Sequence, residues 1–138
     1  MSDPLTPVDT DDDVLRLVRD VLEADGTAEG GERTTWLLLL DADDRPLPQA
    51  IPIGGMPPDP DPEDVERFAG AAGAIAAACG AERVVVVWQR RGGDAVRMQE
   101  ADWAAALSAT RLPIRAQVLA TEDGVRLLDP AFEGIVAI

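Results

Sequence analysis

The chain has 138 residues and a mass of 14.6 kDa, which fits a single domain. Its 26 acidic residues face only 12 basic ones, a formal charge of −14, which argues against binding to nucleic-acid phosphates or anionic membranes. One cysteine and no histidine exclude a disulfide framework, a Ser–His or Cys–His catalytic pair and every histidine-ligated metal site.

All the basic residues are Arg, and Lys, Asn and Tyr are absent, the codon bias of a high-GC bacterial genome. No stretch approaches the ~20 apolar residues of a membrane span. The acidic start MSDPLTPVDTDDD is unlike a secretory signal, so a cytoplasmic protein is expected. Charge is uneven: residues 1–81 carry 18 acidic and 5 basic groups, residues 82–138 carry 8 and 7. Residues 1–9 read as a flexible tail, and 10–138 as one domain without repeats or linkers.

Thr10 or Asp11 caps a helix whose stripe is Val14, Leu15, Val18, Val21 and Leu22, ending near Glu23. Asp25–Arg33 reads as a mobile loop. Thr34–Leu40 (TTWLLLL) is an apolar run of strand length, as in a strand covered on both faces. Leu47–Ile53 follows, and Pro48 and Pro52 make it an edge or irregular strand. Asp61, Pro62 and the acids after them open a second helix, with Val65, Phe68, Ala69, Ala72, Ile75, Ala76 and Cys79 on its buried stripe. Gly80 ends it. Arg83–Trp88 (RVVVVW) is the strongest strand signal and is expected at the centre of the sheet. A helix over roughly Gln99–Thr110, a strand at Ile114–Ala120, and a returning strand at Val125–Leu128 complete the chain. The order α-β-β-α-β-α-β-β predicts an α/β fold, a single-domain mixed β-sheet with flanking helices.

Several segments carry a family likeness over about residues 11–128. They are "WLLLLDADDRPL", "IPIGG", "AAACGAERVVVV", "WQRRGG", "QEAD" and "IRAQVLATEDG". Their order and spacing resemble the JAB/MPN metalloprotease-like domain, most closely its RadC-like branch. The resemblance implies a zinc held by two histidines and an aspartate, a glutamate base, and a serine assisting at the oxyanion. Such a metal lowers the pKa of its bound water to roughly 7. Matched residue by residue, the histidines become Trp88 and Arg90, the glutamate falls near Gln49, the serine becomes Gln99, and only Asp102 survives. Arg90 would place a permanent cation at the metal position, because guanidinium does not deprotonate in proteins. The resemblance therefore implies a pseudoenzyme with no catalytic residues, no metal and no cofactor.

Each residue of the former pocket has a plainer reading beside the functional one. Asp102 is a remnant ligand or simply an acid in the first turn of a helix, and the second is favoured. Trp88 is a ligand platform or strand-end packing. Arg90 and Arg91, with Gly92 and Gly93, cradle an anion or form a solvated loop paired to local acids, the latter being favoured. Asp59, Asp61, Glu63, Asp64 and Glu66 lack the glycine and terminal glutamate of a calcium loop. Cys79 falls on the apolar stripe and reads as core.

The leading functional expectation is a catalytically inactive interaction or scaffold module that binds a protein partner or a second copy of itself, with no nucleic acid and no membrane. The alternative is a binder of a small anion or peptide terminus in the vacated pocket around Trp88, Arg90, Arg91, Arg97, Gln99, Asp102 and Gln49. An enzyme using two unrecognised carboxylates is the third class. One contact is expected in detail: Arg90 or Arg91 takes the metal's place as counterion of Asp102, in a charge-assisted bond of about 2.7–2.9 Å.

Overall fold

The computed structural model describes residues 7–25 and 33–128. Its elements are α1 (Asp11–Asp25), β1 (Thr34–Leu40), β2 (Pro46–Ile53), α2 (Pro62–Ala78), β3 (Arg83–Gln89), α3 (Met98–Ser108), β4 (Ile114–Thr121) and β5 (Gly124–Leu127). The order is the one read from the sequence, and the class is mixed α/β. The expected loop over Asp25–Arg33 and the chain after Leu128 fall largely outside the described residues.

The five strands form one sheet in the order β2-β1-β3-β4-β5. β1 is antiparallel to both neighbours, β3 and β4 are parallel, and β5 returns antiparallel to β4. β3 is thus the central strand, and its residues from Val84 to Gln89 are all buried. Four consecutive valines suit that place: each β-branched side chain packs on a pleated surface, and alternate ones serve opposite layers.

The crossovers β2-α2-β3 and β3-α3-β4 step the same way across the sheet, so helices of one hand fall on one face. There Phe68, Ala72, Trp103 and Leu107 pack on Leu37, Leu39, Val84 and Val86. On the other face α1 lays Val14, Val18 and Leu22 against Trp36, Leu38, Val85 and Val87. Each fully buried Val or Leu contributes roughly 1.5–3 kcal/mol of transfer free energy.

Local chemistry fixes the helix starts. Asp61 accepts the Glu63 backbone N–H at 3.2 Å, with Pro62 as the first residue of α2. Thr10 and Asp13 cap α1 reciprocally: Thr10 Oγ1 accepts from Asp13 N at 3.2 Å, and Asp13 Oδ2 accepts from Thr10 N at 3.1 Å. On α2 the expected stripe faces the sheet, with Val65, Phe68 and Ala72 buried and Ala69 at its flank. Ala76 is buried, while Ile75 and Cys79 are half-buried at its flank. Val8 lies within the stretch expected as a tail, yet it is only 3 % exposed and donates its N–H to the Asp44 carbonyl at 2.8 Å. Ordered packing therefore begins before Thr10.

Candidate functional site

β3 ends at Gln89, and the next residue carries the most enclosed charge among the described residues. Arg90 is 5 % exposed. Its backbone N–H still joins the ladder to β4, bonding the Ala120 carbonyl at 3.0 Å. A guanidinium has five N–H groups in a rigid fork, and here all five are used. Nη1 donates to the carbonyls of Arg91 (3.0 Å) and Gly93 (2.9 Å). Nη2 donates to the Ala95 carbonyl (2.8 Å) and to Glu100 Oε1 (3.1 Å). Nε donates to Glu100 Oε2. The loop 91–97 is wound around this cation.

Glu100 has a second duty. As the third residue of α3 it accepts the Arg97 backbone N–H at 2.8 Å, so the carboxylate caps the helix while neutralising Arg90. The winding also needs Gly92, whose φ of +98° is in the left-handed region. A Cβ there would meet Arg90 Nη1 and Arg97 Nη2 at 3.4 Å each. The β4–β5 hairpin ties the loop from outside, through Asp94 N to Asp123 Oδ2 (3.2 Å) and Arg126 Nη1 to the Asp94 carbonyl (3.1 Å).

The expected counterion of Arg90 is thus corrected: the guanidinium pairs with Glu100, while Asp102 is exposed. Helical phase gives the reason. Residues 100, 103, 104 and 107 share the face that α3 turns to the sheet, and Trp103, Ala104 and Leu107 are buried there. Asp102 is out of that phase. Extending the Trp103–Leu107 stripe one turn back would have found Glu100 in the sequence.

Trp88 and Gln117 complete the wall beneath. Trp88 Nε1 donates to Gln117 Oε1 at 3.0 Å, and Gln117 Nε2 donates to the Ala104 carbonyl at 2.9 Å. The Trp88 ring lies 5.6 Å from that of Trp103 and 6.3 Å from that of Phe68. Of its two sequence readings, strand-end packing describes Trp88 in this structure. Gln117, 3 % exposed, escaped the sequence reading because one amide in a strand carries no sign of which face it takes.

A cleft remains beside this cluster, between Met56–Pro58 and the start of α3. Trp88, Arg90, Arg97 and Gln99 line it, joined by Arg33 and Trp103. Its volume is about 40 Å³, room for a few waters. Small-molecule sites usually measure ~300–1,000 Å³. Gln49, Arg91 and Asp102 are exposed and do not line it; Gln49 sits on the edge strand β2. A larger cavity of about 390 Å³ lies at the other end of β4, where its charged groups, Arg115 and Asp11, pair with each other at 3.2 Å.

Trp88 and Arg90, which the resemblance sets at a metal position, do not fit zinc. An indole N–H and a guanidinium offer no lone pair to a cation. Among the described residues no three acidic or thiol side chains converge to hold a metal ion. Among them, too, no helix is long and apolar enough to cross a membrane. No protein-family model matches this chain, and no curated protein or solved structure matches it significantly.

Proposed function

We propose that the chain is a catalytically inactive, RadC-like JAB/MPN-type domain that acts as a protein-interaction or scaffold module in the bacterial cytoplasm. The observation that carries this reading is Arg90. It occupies the position that the resemblance gives to a metal ligand, and every N–H of its guanidinium is bonded within the chain. A group so bound neither accepts a proton nor releases a donor to a substrate. Recognition of a small anion in the same pocket has less support, since that guanidinium has no donor left and the remaining cleft is only about 40 Å³.

The test has two arms. Purified protein incubated with zinc and then desalted is analysed for metal and assayed on peptide and isopeptide substrates; the expected result is no stoichiometric zinc and no turnover. Zinc at one per chain, or hydrolysis, overturns the inactive reading. In the second arm, proteins captured from the native cell are purified and recombined with the chain. A stoichiometric complex supports the interaction reading, and failure of every captured protein to rebind overturns it.

A further inference from the structure

We infer that the outer edge of β2 is closed to strand addition by its prolines: Pro46 and Pro52 at positions whose N–H groups would face a partner, and Pro48 in the bulge between them. The argument rests on the direction of each backbone group. Within a strand, one residue's N–H and C=O point the same way, and successive residues alternate. The Leu40 carbonyl accepts the Glu82 N–H at 2.8 Å, so it faces β3. On the other side, Asp41 N donates to the Arg45 carbonyl at 3.0 Å, across the β1–β2 turn. Even-numbered residues of β1 therefore face β3, and odd-numbered ones face β2.

Thr35 and Leu37 are opposite Ile53 and Ile51. Those two isoleucines return the ladder bonds, which turns Ala50 and Pro52 outward. Between Leu38 and Leu40 the register shifts by two residues, Leu40 being opposite Pro46. Leu40 faces β3, so Pro46 opposite it faces outward as well, and Pro48 sits in the bulge between the two registers.

Pro46, Ala50 and Pro52 thus point away from the sheet, and of these only Ala50 retains an N–H. An incoming strand would find carbonyl acceptors but a single donor, and antiparallel and parallel ladders both need the two in alternation. Pro46 and Pro52 leave the bond row to β1 intact, because each occupies a position that makes no bond there. The same strand carries half-buried Leu47, Ile51 and Ile53 and lies at the end of the sheet. An apolar edge of that length with its donors intact would be a template for another chain. The prolines let β2 finish the sheet without extending it.

Replacing all three prolines by Thr restores the donors with a polar, strand-favouring side chain. The mass of this variant, measured by light scattering over a concentration series, is expected to exceed that of the unaltered protein and to rise with concentration. In hydrogen exchange, the new amides at 46 and 52 become protected in the assembled form. A folded triple variant at the unaltered mass overturns the inference, as does an assembly in which those amides exchange freely. If the triple variant does not fold, Pro52→Thr, which sets a second outward donor beside that of Ala50, carries the test. A concentration-dependent increase in its mass supports the inference, and its absence overturns it.

Discussion

Arg90 and Glu100 meet as a bidentate pair across the loop that joins β3 to α3, and the carboxylate that holds the guanidinium also caps the helix. Their side chains are 5 % and 13 % exposed. Two charges so enclosed contribute less net stability than their attraction suggests, because both were withdrawn from water. Removing one alone is a different matter, since it leaves the other charged and unpaired.

Glu100→Ala is therefore expected to destabilise the protein by about 3–5 kcal/mol, measured by urea unfolding. Glu100→Gln costs less because one acceptor remains. Adding Arg90→Met to Glu100→Ala is expected to cost less than the two single losses together, since the stranded charge is gone. Full recovery is not expected, because the carbonyls of Arg91, Gly93 and Ala95 lose their donor in either Arg90 variant. Strictly additive losses would show that the pair is uncoupled.

At the start of α1 one carboxyl resists acidification. The Thr10 backbone N–H bonded to the Asp13 carboxylate holds that carboxyl below its usual value, helped by the Asp9 N–H and the Thr10 hydroxyl. A carboxyl lowered on folding adds stability that is complete above its unfolded pKa and lost as pH falls through the folded one. The start of α1 should fray only below the ordinary Asp range. Asp13→Asn should flatten that part of the pH–stability curve, read from urea midpoints at matched ionic strength.

Phe68 is 6 % exposed and packs edge-on to Trp103, ring centres 6.4 Å apart. Phe68→Ala should cost about 3–5 kcal/mol in chemical unfolding. Because the ring also touches Trp88, the native tryptophan emission should change as well.

With a charge of −14, the chain should not bind DNA near physiological salt. Titration of labelled single- and double-stranded DNA with micromolar protein checks this. A shift that weakens with added salt would contradict it.

The strands were legible because TTWLLLL and RVVVVW admit one reading: apolar on both faces, too short for a buried helix. α2 was legible from its cap, with Asp61 before Pro62. The candidate site was legible only in its addresses. Trp88, Arg90, Arg97 and Gln99 do meet at one cleft, but the partner of Arg90 lies ten residues on, across a loop with no periodicity. Asp102 had been singled out by the resemblance, whereas the phase of Trp103 and Leu107 already pointed to Glu100. Gln49 shows the same limit, since a residue matched by alignment need not share a cavity with its supposed neighbours.

Within the sheet, two hairpins are joined only by β3. β1 and β2 pair locally, as do β4 and β5, yet an isolated two-stranded hairpin is marginal in water. β3 must recruit Leu37 from one hairpin and Gln117 from the other, so each long loop closes only when the valine strand arrives. Neither hairpin has a reason to persist before that step or after its reversal. Chain entropy thus couples the two halves of the molecule into one melting unit, and the slowest-exchanging amides should belong to β3 and the strands it joins.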